Sequence, residues 1–453
     1  MTETLDLPSI QGFVVRGYRL PAALYLFLRV DDPARARSLI AETTPQVLTA
    51  ARWGVKPESG INVAFTYAGL AALGVPGTSL AGFPEDFRAG MAARGAALGD
   101  VGDSAPEAWE APFRREDGLH AMVMISARDG DALAARDRVL REAIERHGGV
   151  TVVGEQTGSA LTGGTEHFGF ADGFAQPSIE GSGVDALPGQ GAPRKDGDWR
   201  PIRPGEFVLG YRDEQGAIPA APAPDQLAVN GSYLVYRKLR QDVAAFRRIL
   251  AEAARHYPGG EERLAAKVVG RWRDGTPADL SPDAPDPAIV ADPRRNNAFS
   301  YRGDDTGLRC PAGSHVRRAN PRGGLPFEGK LVNRHRLIRR GIPYGEPLPE
   351  GAEDDRADRG VVFMCLQASI VRQFEFVQAQ WFNDGNGLHL GDDEDVVMGR
   401  HDGPEPRKMT VPGHPPHFIG PLSRVVGMRG GEYFFVPGIN GLHHLAAMAD
   451  QGF

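Results

Sequence analysis

The chain is poor in cysteine, with only Cys310 and Cys365 among its 453 residues. Two cysteines cannot form the disulfide framework that holds small secreted domains together, and they fit a reducing compartment. The chain must instead be held by hydrophobic cores, for which an apolar fraction of 41% is sufficient. We therefore expect two or three globular domains without structural disulfides.

Long apolar runs are also missing. The longest early run, LPAALYLFL at 20–28, is too short to span a bilayer and contains Pro21. The first residues, MTETLDLPSIQGF, lack the basic region and apolar stretch that mark a secretory signal. We expect a soluble, cytoplasmic protein that has no membrane partner.

A strong excess of positive charge is missing as well. The formal net charge of −7 argues against nucleic acid as the main partner. No Gly-rich loop followed by Lys and Ser or Thr is present, so a P-loop phosphate site is not supported. Basic residues cluster locally in RHRLIRRG at 334–341, which leaves a local anion site open.

Apolar strands alternate with amphipathic helices along the chain. The first half predicts, in order, a strand (23–30), a helix (32–50), a strand running into a short helix (61–75), a strand (120–127), a helix (130–147) and a strand (150–155). The second half predicts strands at 205–211, 231–239, 360–368 and 431–438, with helices at 240–255 and 369–383. Because the first series is the β-α-β-β-α-β plan and the second repeats its theme, we predict an α+β fold. It would have two ferredoxin-like domains, residues 1–180 and 205–453, joined by loop.

The stretch HFGFADGFAQP at 167–177 places one acid, Asp172, among glycines and phenylalanines. Gly169, Asp172 and Gly173 form a GxxDG pattern, whose glycines permit sharp turns and a close backbone approach to a flat ligand. A solvent-facing Asp-Gly turn is the ordinary explanation of such a pattern. The aromatic neighbours favour a working acid, because a carboxylate among aromatic rings is costly unless something nearby uses it.

A second stretch, CPAGSHVRRANPR at 310–322, combines one histidine with several arginines. His315 precedes Arg317, Arg318 and Arg322. This combination suits a large, flat, anionic ligand such as haem b, in which an imidazole ligates the iron and guanidinium groups meet the propionates. A surface histidine in a basic loop and a phosphate site are the alternatives that the spacing leaves open.

A third stretch, RHRLIRRGIPYG at 334–345, contains Arg339 and Arg340 after two apolar residues. If the segment is a strand, the two arginines point to opposite faces, so one of them could enter a pocket. A solvated basic strand edge is the alternative.

In order and wording, these stretches resemble the dye-decolourising peroxidase family, specifically its longer bacterial and fungal-like members. The matching stretches are IQGFVVRGY (10–18), EHFGFADGFAQPSIEG (166–181), NNAFSYRGDDTGLRCPAGSHVRRANPR (296–322), HRLIRRGIPYG (335–345), RGVVFMCLQASIVRQFEFVQAQWFN (359–383) and MRGGEYFFVPG (428–438). The resemblance covers essentially the whole chain. It implies two ferredoxin-like domains, with haem b bound in the C-terminal half.

The resemblance also implies roles for three side chains. His315 matches the proximal ligand of the haem iron. Asp172 matches the distal acid that moves a proton during peroxide cleavage, and Arg339 matches the distal arginine that stabilises charge on the departing oxygen. Because an unperturbed aspartate titrates near about 3.9, we expect an acidic activity optimum.

Further residues are expected around the haem. The resemblance implies that His167 lies near a propionate or the peroxide channel, with a surface or capping histidine as the alternative. Arg322 is expected to bind a propionate, and Gly173 belongs to the pattern that approaches the cofactor. Leu366 and Phe382 are expected to line or support the haem cavity, with ordinary core packing as the alternative.

Two details of the site are less constrained. The second ring nitrogen of His315 should donate to an acid, for which Asp384 is preferred slightly over Glu375. Two positions beyond Arg339, where family members often carry a polar residue, this chain has Gly341. The absence of a polar side chain at Gly341 should affect how water and peroxide are held in the distal pocket.

The partners implied are hydrogen peroxide and an aromatic reductant or dye, including anthraquinone-type dyes. Bulky dyes cannot enter a pocket sized for peroxide, and family members are thought to use surface radicals. Trp381, Tyr344 and Tyr301 lie near the matched motifs and are the candidate radical sites.

Two other functions remain open. A haem carrier without useful turnover would also need His315, but it would have no use for a distal acid and cation. A metal site built from HLGDDED (389–395) and GHPPH (413–417) is the third possibility.

Overall fold

The computed structural model describes residues 4–114, 118–194, 196, 198–401 and 406–448. The outer ends of the two predicted domains, residues 1–3 and 449–453, lie outside this description. The described strands are β1 (Ala22–Val30), β2 (Ser59–Phe65), β3 (Ala121–Ala127), β4 (Val150–Ser159), β5 (Ala192–Pro193), β6 (Trp199–Arg200), β7 (Ser232–Gln241), β8 (Ile338–Arg339), β9 (Ile342–Tyr344), β10 (Gly360–Gln367), β11 (Met409–Val411), β12 (His417–Ile419) and β13 (Val426–Val436).

The described α-helices are mostly short. They are α1 (Gly12–Val15), α2 (Pro33–Thr43), α3 (Tyr67–Ala72), α4 (Gly77–Leu80), α5 (Glu85–Ala89), α6 (Met91–Leu98), α7 (Gly130–His147), α8 (Asp225–Ala228), α9 (Val243–Ala254), α10 (Gly260–Val269), α11 (Pro287–Ala291), α12 (His315–Ala319) and α13 (Ile439–Ala447). The predicted helix at 32–50 ends early, because Pro45 follows the last turn of α2 and cannot continue the α-helical ladder. Helix α7 has the predicted bounds, and Asp129 caps it by accepting the N–H of Ala132 at 2.8 Å.

Nine strands form one sheet in the order β4-β1-β3-β2-β13-β7-β10-β8, with β9 also paired to β10. Within each half, the fourth strand pairs with the first, the first with the third, and the third with the second. This arrangement in both halves confirms the predicted α+β class with two ferredoxin-like units. The units share the sheet, because β2 and β13 join at Phe65 and Phe435.

The junction between the units is held by the motif IQGFVVRGY. Gln11 is completely buried there, and its Nε2 donates to the carbonyl oxygens of Val63 at 2.8 Å and Pro437 at 3.0 Å. The far edges of the sheet also approach each other, since a Cβ on Gly158 of β4 would lie 2.4 Å from Cγ2 of Ile342 in β9. The sheet therefore curls until its two edges meet.

Two further predicted elements differ from the structure. The segment 205–211 is not a strand, because a 3-10 turn at Pro204–Glu206 starts it and its apolar residues are buried as a compact loop. The predicted helix at 369–383 is present as two π-helical segments, Val371–Glu375 and Val377–Phe382. Such segments are rare and occur frequently at functional sites.

Candidate active site

Asp172 is carried by a loop between β4 and β5. Gly169 and Gly173 in this loop have φ values of +91° and +89°, which glycine adopts without penalty. A Cβ at Gly173 would meet nothing nearby, so the backbone conformation alone calls for glycine there. The GxxDG pattern is therefore a conformational requirement of the loop that presents Asp172.

Glu166 fixes the conformation of this loop. Its partly buried carboxylate accepts the backbone N–H groups of Phe168 at 2.9 Å and Phe170 at 3.0 Å, and the side-chain amide of Gln241 at 2.6 Å. Burial raises the pKa of Glu166, although these three hydrogen bonds favour its charged form. Sequence reasoning did not single out Glu166, although it stands at the start of the matched stretch.

Arg339 lies opposite Asp172, at the end of the short edge strand β8. Its Nη2 donates to Oδ1 of Asp172 at 3.0 Å and its Nη1 to Oδ2 at 3.3 Å. The backbone N–H of Arg339 donates to Oε1 of Gln176 at 3.0 Å, which ties β8 to the same loop. Arg340 turns to the other side, where its Nε donates to the carbonyl oxygen of Phe13 at 2.7 Å.

The Asp172 carboxylate is kept in its charged form. Its surroundings oppose ionisation by desolvation, but the charge of Arg339, the backbone N–H of Gly173 and the Arg339 hydrogen bonds outweigh that cost and lower the pKa of Asp172. The charge of His315 makes a smaller contribution to the same lowering. Both members of the pair remain accessible, with 57% of the Asp172 side chain and 36% of the Arg339 side chain exposed.

His315 is the first residue of α12, and two contacts fix its ring. Nδ1 lies 3.1 Å and 3.2 Å from the two carboxylate oxygens of Asp395, and the ring stacks on Phe382 at 5.0 Å with an interplanar angle of 11°. Because a carboxylate only accepts, Nδ1 carries a proton, and in a neutral ring this leaves the lone pair on Nε2. Burial opposes ionisation of Asp395, but the interaction with His315 leads the effects that lower the pKa of Asp395.

The partner of His315 is therefore neither of the two predicted acids. Glu375 is bound by Arg94 and by the hydroxyl of Tyr433, and Asp384 accepts the backbone N–H of Asn386 at 2.8 Å. The prediction failed because Asp395 comes last in HLGDDED, which sequence reasoning considered only as a metal site. The nearest signal for it was the unusual run of four acids.

Several cations near the site have no carboxylate partner. Arg271, Arg322 and Arg336 are buried, and none of them forms an ion pair within the described ranges. Burial lowers the pKa of Arg271 to about 10 and that of Arg336 to about 9, and repulsion from Arg322 adds to both effects. Buried positive charge without a counter-ion is costly, so this region suits an anionic group.

The predicted propionate partners fit such a group in part. Nη1 of Arg322 donates to the carbonyl oxygens of Asn297 at 2.9 Å and Phe299 at 2.8 Å. The buried Nε of Arg322 has no hydrogen-bond partner among the described residues. His167 has one ring nitrogen 2.8 Å from the carbonyl oxygen of Tyr344, and its buried Nδ1 finds no hydrogen-bond partner in the described ranges. These two buried nitrogens are therefore available to an anionic group.

Three other predicted positions can be located. Phe382 supports the ring of His315 by stacking, as described above. Leu366 is completely buried in the main core, between Ile338 of β8 and Leu234 of β7, and its place at the haem cavity stays a prediction. At Gly341 a Cβ would lie 2.9 Å from the carbonyl oxygen of Val362, so the backbone leaves no room there for a polar side chain.

The candidate surface aromatics are not at the surface. Trp381, Tyr344 and Tyr301 are exposed by only 3%, 4% and 1%. The prediction of these residues as surface radical sites is therefore wrong, because each belongs to a packed cluster that a bulky dye cannot touch.

The described residues contain no group of three or more His, Cys, Asp or Glu side chains that could hold a metal ion. They also contain no helix that is both long and apolar enough to cross a membrane. The cytoplasmic location stays a prediction from the sequence.

Comparison with known proteins identifies the class of molecule that this fold and site define. Two family models match the chain: the DyP dimeric alpha+beta barrel domain over residues 9–159, and the C-terminal domain of Dyp-type peroxidases over residues 212–392. The molecule is thus an α+β barrel peroxidase.

Individual relatives agree over nearly the full length. A dye-decolorizing peroxidase from Mycena epipterygia is 30% identical over 500 residues, covering 99% of this chain and 88% of the relative. The multifunctional dye peroxidase DyP2 of an Amycolatopsis species is 32% identical, covering 97% of this chain and 96% of the relative. The solved structure of an ancestral D-type dye decolorizing peroxidase superposes with a TM-score of 0.85 at 29% identity, over 98% of this chain and 100% of that chain. This chain belongs to the DyP-type, or dye-decolourising, peroxidase family, which confirms the resemblance found in the sequence.

Proposed function

We propose that this enzyme is a haem b peroxidase that reduces hydrogen peroxide and oxidises aromatic donors, including anthraquinone-type dyes. Asp172 is its acid–base group, Arg339 its distal cation and His315 its iron ligand. The observation that carries the proposal is the bidentate Asp172–Arg339 pair, in a chain that also holds a histidine whose Nδ1 is already bound to a carboxylate. A haem carrier has no use for such a pair.

The residues available to hold the cofactor agree with this assignment. Nε2 of His315 would ligate the iron, and the Asp395 hydrogen bond would raise the donor strength of the imidazole. The buried arginines 271, 322 and 336, with Nδ1 of His167, would bind the propionates. Bound haem would supply an iron and a porphyrin that take up the oxidising equivalents of peroxide and release them one at a time to a donor.

The chain's own part in peroxide cleavage is proton transfer and charge stabilisation. Asp172 is ionised, so it can accept the proton of one peroxide oxygen and deliver it to the other, which leaves as water. Arg339 would move its hydrogen bonds from the carboxylate to the oxygen on which negative charge develops. A single carboxylate can serve as base and then as acid because the proton stays within the site.

The aromatic donor is supported by a relative. A dye-decolorizing peroxidase with a TM-score of 0.83 and 30% identity to this chain was solved in complex with 2,6-dimethoxyphenol. A small phenol of this kind and an anthraquinone dye differ in bulk, so the two substrates together test whether oxidation takes place inside a pocket or at the surface.

The proposal is tested by adding haemin to the protein and following the Soret band, then adding one equivalent of hydrogen peroxide. We expect a defined complex that reacts with peroxide and then oxidises 2,6-dimethoxyphenol and an anthraquinone dye. His315→Ala should lose the axial-ligand spectrum, and Asp172→Asn should keep it but react with peroxide about 10²–10⁴-fold more slowly.

His120→Ala is the matched control, because the ring of this histidine accepts the backbone N–H of Val30 at 3.0 Å in the N-terminal unit and has no described contact with Asp172, Arg339 or His315. It should bind haemin and react as the unmodified protein does. Failure of the unmodified protein to bind haemin would refute the haem assignment, whereas binding without any reaction with peroxide would favour a carrier.

A further inference from the structure

Arg318 follows His315 by one helical turn on α12, and its side chain is completely buried. The guanidinium donates to four backbone carbonyl oxygens: those of Gly313 (3.2 Å), Trp381 (2.6 Å), Asp384 (3.3 Å) and Asp393 (2.7 Å). Within the described ranges it makes no ion pair. All of its hydrogen bonds thus serve to hold backbone segments together.

Those segments are the ones that support His315. Trp381 immediately precedes Phe382, the residue on which the His315 ring stacks. Asp393 lies two residues before Asp395, which accepts from Nδ1 of the ring. Arg318 therefore connects the helix that carries the histidine to both of the histidine's supports.

We propose that Arg318 is a positioning residue that sets the strength of the Asp395–His315 hydrogen bond by holding the 377–382 and 384–395 segments against α12. This inference rests on the proposed function, because it requires His315 to ligate the iron. A guanidinium is suited to the task, since its rigid fork reaches acceptors in several directions, whereas a lysine ammonium is a single point on a flexible chain. If the two segments drift from α12, the imidazole donates less charge to the iron.

Arg317 provides a matched control one residue away. It is also buried, but it donates to the carboxylate of Asp304 at 3.0 Å and to the carbonyl oxygens of Cys310 at 2.6 Å and Asp304 at 3.0 Å. None of these acceptors belongs to a segment that contacts His315. Lysine at either position disturbs α12. We expect only Arg318→Lys to weaken the contacts of His315 with Phe382 and Asp395.

The test uses the haem-loaded protein and two readouts of the proximal bond: the ferric/ferrous midpoint potential and the iron–histidine stretching band of the ferrous form. Arg318→Lys should raise the potential and lower the band frequency, and it should slow the reaction with peroxide about tenfold or more. Arg317→Lys should leave the potential and the band unchanged, whatever it does to unfolding.

A double-mutant cycle separates positioning from general damage. Asp395→Asn should shift both readouts in the same direction, and Arg318→Lys added to it should shift them little further, because both act through one hydrogen bond. A wild-type band and potential in Arg318→Lys would overturn the inference, and so would shifts that add in full. If the lysine variant does not fold, Arg318→Gln takes its place with the same outcomes. Two other outcomes would instead count against the proposed function. One is that the unmodified protein does not bind haemin, and the other is that the His315→Ala variant keeps an unchanged axial-ligand spectrum.

Discussion

Replacing Arg339 with leucine removes the cation beside Asp172, and the size of the effect follows from the geometry. The hydrogen bonds of 3.0 Å and 3.3 Å imply charge centres separated by about 4 Å, at which an effective dielectric of about 20 gives about 4 kcal/mol. Arg339 is 36% and Asp172 57% exposed, so solvent screening reduces this to about 1 kcal/mol. Applied to the charge that develops on the departing oxygen, about 1 kcal/mol corresponds to about fivefold in rate.

The same variant should change the pH profile in a defined direction. In the unmodified enzyme Arg339 keeps the pKa of Asp172 low against the opposing effect of burial. The base form therefore persists until the pH falls below the ordinary value of about 3.9, and the acid limb of the peroxide reaction lies there. Without the cation, the largest effect that lowers the pKa of Asp172 is lost and desolvation is opposed more weakly, by the Gly173 N–H and the charge of His315. The acid limb of Arg339→Leu should therefore move to higher pH.

Stopped-flow measurement of the second-order rate with hydrogen peroxide, from acidic to neutral pH, tests both parts. Arg273→Leu is the control, because Arg273 donates to the carbonyl oxygen of Phe168 at 2.7 Å and pairs with Glu262 without contacting Asp172. It should retain the wild-type acid limb. An Arg339→Leu enzyme with an unchanged rate and an unchanged acid limb would refute the electrostatic reasoning.

Three other variants test separate parts of the site. Asp395→Asn should raise the midpoint potential of the haem-loaded enzyme and slow its reaction with peroxide about 10–100-fold. Spectroelectrochemistry measures the potential and stopped flow the rate. An unchanged potential would show that the hydrogen bond from His315 to Asp395 does not determine it. Glu166→Ala leaves two backbone N–H groups of the Asp172 loop unpaired and should lower the free energy of unfolding in urea by about 1–3 kcal/mol, whereas an unchanged midpoint would mean that the loop is held elsewhere. Arg336→Met removes a buried cation that has no counter-ion, so the haem-free protein should be at least as stable as before while its affinity for haemin falls; equal losses of stability and affinity would contradict this.

The sequence predicted the two ferredoxin-like units because apolar periodicity is a local property. A window of about ten residues is enough to indicate each strand or helix. It did not predict that the units share one sheet. That contact depends on Phe65 meeting Phe435, which lie at opposite ends of the chain. The apolar run at 205–211 predicts a strand, but a buried loop needs apolar residues just as a buried strand does.

The site was predictable where a motif carries it and not where it depends on tertiary contacts. His315, Asp172 and Arg339 each lie in a distinctive stretch, and the structure brings the last two into contact. Asp395 lies in a run of acids whose members differ only in their partners. Three consecutive acids of that run meet, in order, Lys408, Arg407 and His315. The sequence alone therefore does not distinguish Asp395, which orients His315, from the neighbouring acids.

The formal charges of the described site argue for the kind of group that it holds. Asp172 is paired with Arg339 and Asp395 with His315, and the pKa of each acid is lowered although desolvation opposes its ionisation. The arginines 271, 322 and 336 add positive charge that no described carboxylate balances. These three cations are available to the two propionates of the haem b that we propose for this site. The expected loss of haemin affinity in Arg336→Met follows from this pairing, because fewer cations would then offset the buried propionates.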